Sequence, residues 1–298
     1  FLSIRCADVG DWRAGIDRAE QAIDLSRKVG DSRQAEECMV VGAFLYLHSG
    51  APQSALQYFE AAAAEGRRRG DKQTTGWGLL GVARVHLAQG RAHEALDALR
   101  HAEPYVADRL SGIEQHGLAA LAHLRRDEFE DSLRAARSGL DLVLQARPVS
   151  FSTLTGTAAI AETLITHLRI ARRGGLAGDA RLLGMQARQA LRALRGFARN
   201  FPIGSPQALL QRGNYFLTEG RHRRAVALWS RALDAAAGLA MPFEEARAAA
   251  TIARHTTGAG SAAARARAAA IFERLGVGDA GRISGPELPV GNSAPPRS

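Results

Sequence analysis

Three short stretches carry residue types that do chemistry when correctly spaced. His93-Glu94-Ala95-Leu96-Asp97 begins like the HExxH zinc helix, in which two imidazoles one helical turn apart face a metal. Asp97 stands where the second histidine must be, so the pattern offers one ring only. Gly276-Val277-Gly278-Asp279-Ala280-Gly281 fits GxGxxG, whose mechanism needs a strand before it and a helix after it so that a pyrophosphate meets a helix N-terminus. Here a helical pattern precedes it and Gly/Pro-rich sequence follows, which argues against a nucleotide site. His116 and His123 share a helical face but lie two turns, about 10 Å, apart, too far for one metal. Walker A and GxSxG sequences are absent, and Cys6 and Cys38 have no CxxC spacing and suggest neither a disulfide framework nor a zinc knuckle. The sequence therefore assigns no catalytic residue, no metal and no cofactor; the chain reads as non-catalytic.

The elements that hold these residues are more legible than any chemistry. One segment recurs: Gly50-Ala51-Pro52-Gln53-Ser54-Ala55-Leu56, Gly90-Arg91-Ala92-His93-Glu94-Ala95-Leu96 and Gly220-Arg221-His222-Arg223-Arg224-Ala225-Val226. Past each internal alanine comes a bulky residue (Phe59, Leu99, Trp229) and then another alanine (Ala62, Ala102, Ala232), spaced for one helical face. A weaker copy starts at Asp127 (Ser132, Ala136, Gly139) and a partial one at Gly10 (Gly15, Ala19, Ala22). Seven residues before each anchor is a small residue (Ser3, Ala43, Ala83, Ala120, Gly213); four before it is Cys6, Tyr46, His86, His123 or Phe216. This order describes a helix–turn–helix unit whose small residues let two helices approach closely while larger ones fill the space beside them. Cys6 then reads as an inert buried thiol, and His86 and His123 as packed, hydrogen-bonded rings rather than ligands.

The order small–aromatic–Gly–Ala–aromatic–Ala resembles the tetratricopeptide repeat (TPR). The 40-residue spacing of Gly10, Gly50 and Gly90 departs from the 34-residue standard and implies longer helices, as in the extended repeats of bacterial signalling ATPases. Gly30-Asp31 and Gly70-Asp71 supply a glycine to end one helix and an aspartate to cap the next. The expected fold is all-α, a right-handed α-solenoid of about seven TPR-like pairs over 1–276, with second helices starting near residues 11, 51, 91, 127, 178, 221 and 260. The fifth pair is the least regular, and Arg173-Gly174-Gly175-Leu176-Ala177-Gly178 suggests a longer turn. Residues 277–298, rich in Gly, Pro and Ser, read as a disordered tail. At the front, Gly10 as a turn leaves too few residues for a full first helix, and Phe1, Leu2 and Ile4 do not make a polar cap, so more protein is expected upstream.

Residues 197–276 carry a closer likeness. Phe197-Ala198-Arg199-Asn200-Phe201-Pro202-Ile203-Gly204-Ser205-Pro206, Gly220-Arg221, Gly238-Leu239-Ala240-Met241-Pro242-Phe243-Glu244 and Ile271-Phe272-Glu273-Arg274-Leu275-Gly276 resemble the C-terminal repeats of large bacterial signalling proteins. In those, an adenylate/guanylate cyclase or Ser/Thr kinase domain and an AAA/STAND-type ATPase precede the array. The resemblance implies a scaffold, sensor or autoregulatory arm that contacts a protein or peptide partner, or upstream domains of the same polypeptide. It also leaves open the inducer-sensing arm of a LuxR/MalT-type transcription regulator. By analogy with such arrays, the inward groove positions are Glu37, Val40, Phe44, Leu47, His48, Trp77, Leu80, Arg84, Leu87, Glu114, Leu121, Arg125, Gln207, Leu210, Asn214 and Leu217. Their mixed chemistry suits a peptide laid in a groove, although several, Leu80 and Leu121 among them, could simply pack against the next unit.

The composition bounds the alternatives. With 298 residues, 46% hydrophobic and 23% charged, the chain is neither disordered, collagenous nor a disulfide-dense module. The cysteine usage suggests a reducing compartment, the cytoplasm, and no apolar run is long enough to span a membrane. The formal charge of +9 is unevenly spread: Arg169 to Arg231 holds thirteen arginines against Asp179 and Glu219, so the remainder sums to −2. Arg181, Arg188, Arg192, Arg195 and Arg199 fall on one helical stripe. That stripe is either a docking face for an acidic or phosphate-bearing partner or a solvated outer face. The absence of interleaved aromatics argues against nucleic acid.

Overall fold

The computed structural model describes residues 2–146 and 150–278. The expected tail lies, beyond Gly278, outside the described residues. Fourteen α-helices follow one another: α1 (Leu2–Val9), α2 (Trp12–Lys28), α3 (Ser32–Ser49), α4 (Pro52–Arg69), α5 (Lys72–Ala88), α6 (Ala92–Ala102), α7 (Arg109–Arg125), α8 (Phe129–Gln145), α9 (Leu154–Arg173), α10 (Ala177–Asn200), α11 (Ser205–Thr218), α12 (His222–Gly238), α13 (Pro242–His255) and α14 (Ala259–Arg274). Short 3₁₀ turns precede α7, α9 and α11, and no strand occurs among the described residues. Each helix packs chiefly on its sequence neighbours, consistent with an α-solenoid.

The turns show why the repeat has its spelling. At Gly10, Gly50, Gly90 and Gly220 the backbone is left-handed, and the next N–H reaches back to the carbonyl of the residue four before the glycine: Cys6, Tyr46, His86 and Phe216, at 2.8–3.0 Å. Asp127 adopts the same conformation (φ 61°), and Glu128 N–H closes the same bond on His123. Asp31 and Asp71 cap α3 and α5 through Gln34 and Thr74 N–H at 3.0 and 3.1 Å. The fifth turn corrects the expectation of a long loop. α10 begins at Ala177, ahead of Gly178, so the connection is only Gly174-Gly175-Leu176, with Gly175 left-handed.

Within and between pairs, bulky side chains seat in notches left by residues with little or no Cβ. A Cβ on Gly81 would overlap the Phe59 ring, one on Gly213 would overlap Trp229, and one on Gly139 would lie 2.6 Å from Ile160 Cδ1. Phe59 and Trp229 are thereby almost fully buried, each worth about 1.5–3 kcal/mol by transfer from water. Cys6, by contrast, is only half-buried.

The two ends of the series meet. Trp12 Nε1 donates to Leu239 O at 2.6 Å, Gly10 lies against Leu239 and Ile203, and Gly50 lies against Pro242 and Leu275. Odd-numbered helices consequently face a shared interior, and α13 touches α3 across it.

Candidate functional site

The eleven groove candidates with the strongest claim to binding line one or another of three spaces between the helices. Leu47, His48, Arg84, Leu87, Arg125 and Gln207 border a space of about 720 Å3 that is partly open to solvent. Glu37, Phe44, Trp77, Arg84 and Glu114 border a larger space of about 1300 Å3 between α3, α5 and α7. Asn214 borders a third of about 500 Å3 with Leu210 and Leu217. Of the remaining groove positions, Val40 and Leu80 line the second space and Leu121 the first. The positions are divided among these spaces, and α13 meets α3 beside the first of them.

Each inner helix from α3 to α13 sends polar side chains toward this interior. Arg84 on α5 donates through Nη2 to Glu114 Oε2 on α7 at 3.0 Å, and Glu114 Oε1 accepts Gly156 N–H at the start of α9 at 2.8 Å. Glu162 on α9 is paired with Arg247 on α13 and accepts from Gln211 Nε2 on α11 at 3.1 Å. Gln207 Nε2 donates to Glu244 Oε1 at 3.0 Å. Arg125 donates to the carbonyl of Leu87. Burial dominates the titration of the group: it pushes His48 down to about 3 and Arg125 down to about 10, and pushes Glu244 up. His48 Nδ1 and Glu244 Oε1 are 3.7 Å apart, and burial favours the neutral form of both, so this contact is not an ion pair near neutral pH.

Some polar atoms in this network have no protein partner: His48 Nε2, Arg84 Nε, Thr155 Oγ1, Gln207 Oε1, Glu244 Oε2 and Arg247 Nε, all on residues lining the first chamber. A buried polar atom left without a hydrogen bond costs ~1–3 kcal/mol, so their gathering around one space is not a neutral feature of packing.

Sequence reasoning missed Glu162, Gln211, Glu244 and Arg247. Glu162 carried a usable signal, being the lone acid in the apolar run Leu154–His167, where a carboxylate is tolerated only with a partner. Arg247 and Glu244 sit in the seventh pair, outside the span over which the groove register was extended.

The basic stripe lies where the periodicity put it. Arg181, Arg188, Arg192, Arg195 and Arg199 are all exposed along α10. It continues onto α11 and α12. Arg188 Nη1 donates to Tyr215 OH at 3.2 Å, and the guanidinium carbons of Arg224, Arg212 and Arg221 stand 4.2, 5.6 and 5.9 Å from the Phe216 ring centre. Burial, then the charges of Arg224, Arg195 and Arg231, lower the pKa of Arg212. The nearby Glu219 is engaged by Arg172 at 2.7 Å.

The decoy motifs resolve in simple terms. His93 and Asp97 form an exposed i,i+4 contact at 3.6 Å. His123 Nδ1 bonds Glu128 Oε2 at 2.6 Å, as expected of a satisfied ring, whereas His86 Nδ1 is buried without a hydrogen bond. Among the described residues, no group of three His, Cys, Asp or Glu side chains could hold a metal ion, and no helix is long and apolar enough to cross a membrane. No family model and no curated protein matches the chain.

Proposed function

We propose that the chain is a right-handed α-solenoid of the TPR type that serves as a non-catalytic interaction arm, the C-terminal regulatory part of a larger signalling ATPase or cyclase. The observation that carries this reading is the merging of the α10 stripe with Arg212, Arg221 and Arg224 around Phe216, with the charge of Arg231 close to Arg212. Like charges held this close destabilise the fold, and their retention on an outward face is best explained by a partner that neutralises them. Charge complementarity makes that partner an acidic protein surface, on another protein or on an upstream domain of the same polypeptide. Changing Arg188, Arg192 and Arg195 together to Glu is expected to abolish salt-sensitive association with the parent protein's upstream domains in a pull-down. Unchanged association would sink the reading.

A second reading, the inducer-sensing arm of a LuxR/MalT-type regulator, draws on the inner chambers instead of the outer surface. The division of the inward positions among separate spaces favours it over a peptide-binding groove, because an extended peptide needs one continuous channel.

A further inference from the structure

We propose that the chamber between α3, α5, α9, α11 and α13 binds a small organic carboxylate with an apolar body and one hydrogen-bond donor. The inference rests on the second reading above, in which the interior and not the outer arginines is the working surface.

The buried polar side chains that line the space define the ligand's head. Arg84 Nε and Arg247 Nε are donors only, and Thr155 Oγ1 donates readily. His48, Arg84, Gln207, Glu244 and Arg247 are each more than nine-tenths buried, so bulk water does not serve these atoms. A carboxylate accepts through two oxygens and has the planar shape that guanidinium N–H groups recognise. Gln207 Nε2 is already spent on Glu244, which leaves its Oε1 as an acceptor for one ligand O–H or N–H. The walls define the rest. Leu47, Leu87, Leu118, Leu121, Phe243 and Leu275 line the same space, an area that an inorganic anion would leave uncovered.

The test uses the full chain and five probes in isothermal titration calorimetry: hexanoate, 6-hydroxyhexanoate, hexan-1-ol, hexan-1-amine and inorganic phosphate. Hexanoate is expected to bind saturably in the millimolar range, 6-hydroxyhexanoate at least threefold more tightly, and the other three not at all. Thr155→Val, which removes a hydroxyl that bonds nothing in the protein, is expected to weaken hexanoate binding about fivefold with the melting temperature unchanged or raised. Ala88→Leu, at a partly exposed wall position, fills the chamber and is expected to abolish binding while the helical circular dichroism is retained. Equal binding of hexanoate and hexan-1-ol, binding of phosphate alone, no saturable hexanoate binding, or full binding by Ala88→Leu each overturns the proposal. Partner docking through Arg188, Arg192 and Arg195 is read in a different assay, so the failure of one reading is visible without the other.

Discussion

At the scale of single residues, the turns set a backbone state before they set a residue type. Gly30 and Gly70 end the helices between pairs in the left-handed region, and Ala240 holds the corresponding place after α12 with φ 48°. A Cβ there costs on the order of 1 kcal/mol, partly offset by the freedom that glycine gives the unfolded chain. Ala240→Gly is accordingly expected to raise the unfolding free energy by about 0.5 kcal/mol in urea titrations, with a smaller gain for Asp127→Gly, since aspartate tolerates this conformation better. Gly50→Ala reverses the sign, because the new Cβ would be left-handed and 2.6 Å from Pro242 Cγ; a loss of about 2 kcal/mol or more is expected. Asp127 was recognisable as a turn because the rest of its repeat surrounds it. Ala240 was not, since nothing in alanine's chemistry announces a positive φ.

The helices themselves were legible because period and punctuation agreed. Six of the seven second helices begin within one residue of the position that the repeat gives, and α8 begins within two. Only the length of the turn misled in the fifth pair, where Gly175 and Gly178 both could end a turn and the sequence does not say which backbone is left-handed. Its first helix also crosses α7 of the preceding pair backbone to backbone. Gly117 on α7 and Gly156 on α9 cross so tightly that a Cβ on the first would overlap the carbonyl of the second, and a Cβ on Gly156 would sit 2.6 Å from Ile113 O. Backbone cannot yield as a flexible side chain can. Gly156→Ala is therefore expected to cost about 2–3 kcal/mol, and to loosen the seat that Gly156 N–H makes for Glu114. Gly196→Ala on α10, where a Cβ meets nothing within 4 Å, is expected to stabilise by about 0.5–1 kcal/mol. Thermal denaturation of the two variants side by side separates a packing glycine from a dispensable one.

At the scale of the whole molecule, burial of basic rings ties stability to pH. His48 is held down to about 3, and His167 and His255 to about 4, in each case by burial first. A base whose folded pKa lies below its unfolded value of about 6.5 contributes stability above that pH, and the contribution is lost as pH falls toward the folded value. Glu244 and Asp8 act in the opposite sense, since their carboxyls are pushed up and protonation relieves them, but burial lowers His86 and His116 as well, so the rings outnumber the carboxyls. The urea midpoint is expected to fall steadily from pH 7 to pH 5, and to fall less steeply in His167→Gln, whose ring packs against Ser132 Oγ at 3.0 Å. A flat profile would show that these rings exchange protons freely in the fold. The interior they belong to was only half legible. Inward positions follow from a local rule repeated along the chain, whereas the distance from α3 to α13 depends on small rotations accumulated over five pairs, which no local spacing encodes.

Trp12 and Leu239, 227 residues apart, are joined by an indole hydrogen bond, one of a few contacts that link the two ends of a structure made mostly of contacts between successive helices. Such a fastening changes how the molecule should respond to tension. Stretched between α2 and α12, an open stack would lengthen in small steps as successive pairs peel away. Here extension must first break the clasp between the two ends, so an optical-trap trace is expected to show one initial rupture before the staircase. Trp12→Phe, which keeps the ring and removes the donor, is expected to lower that first peak and leave the later steps in place.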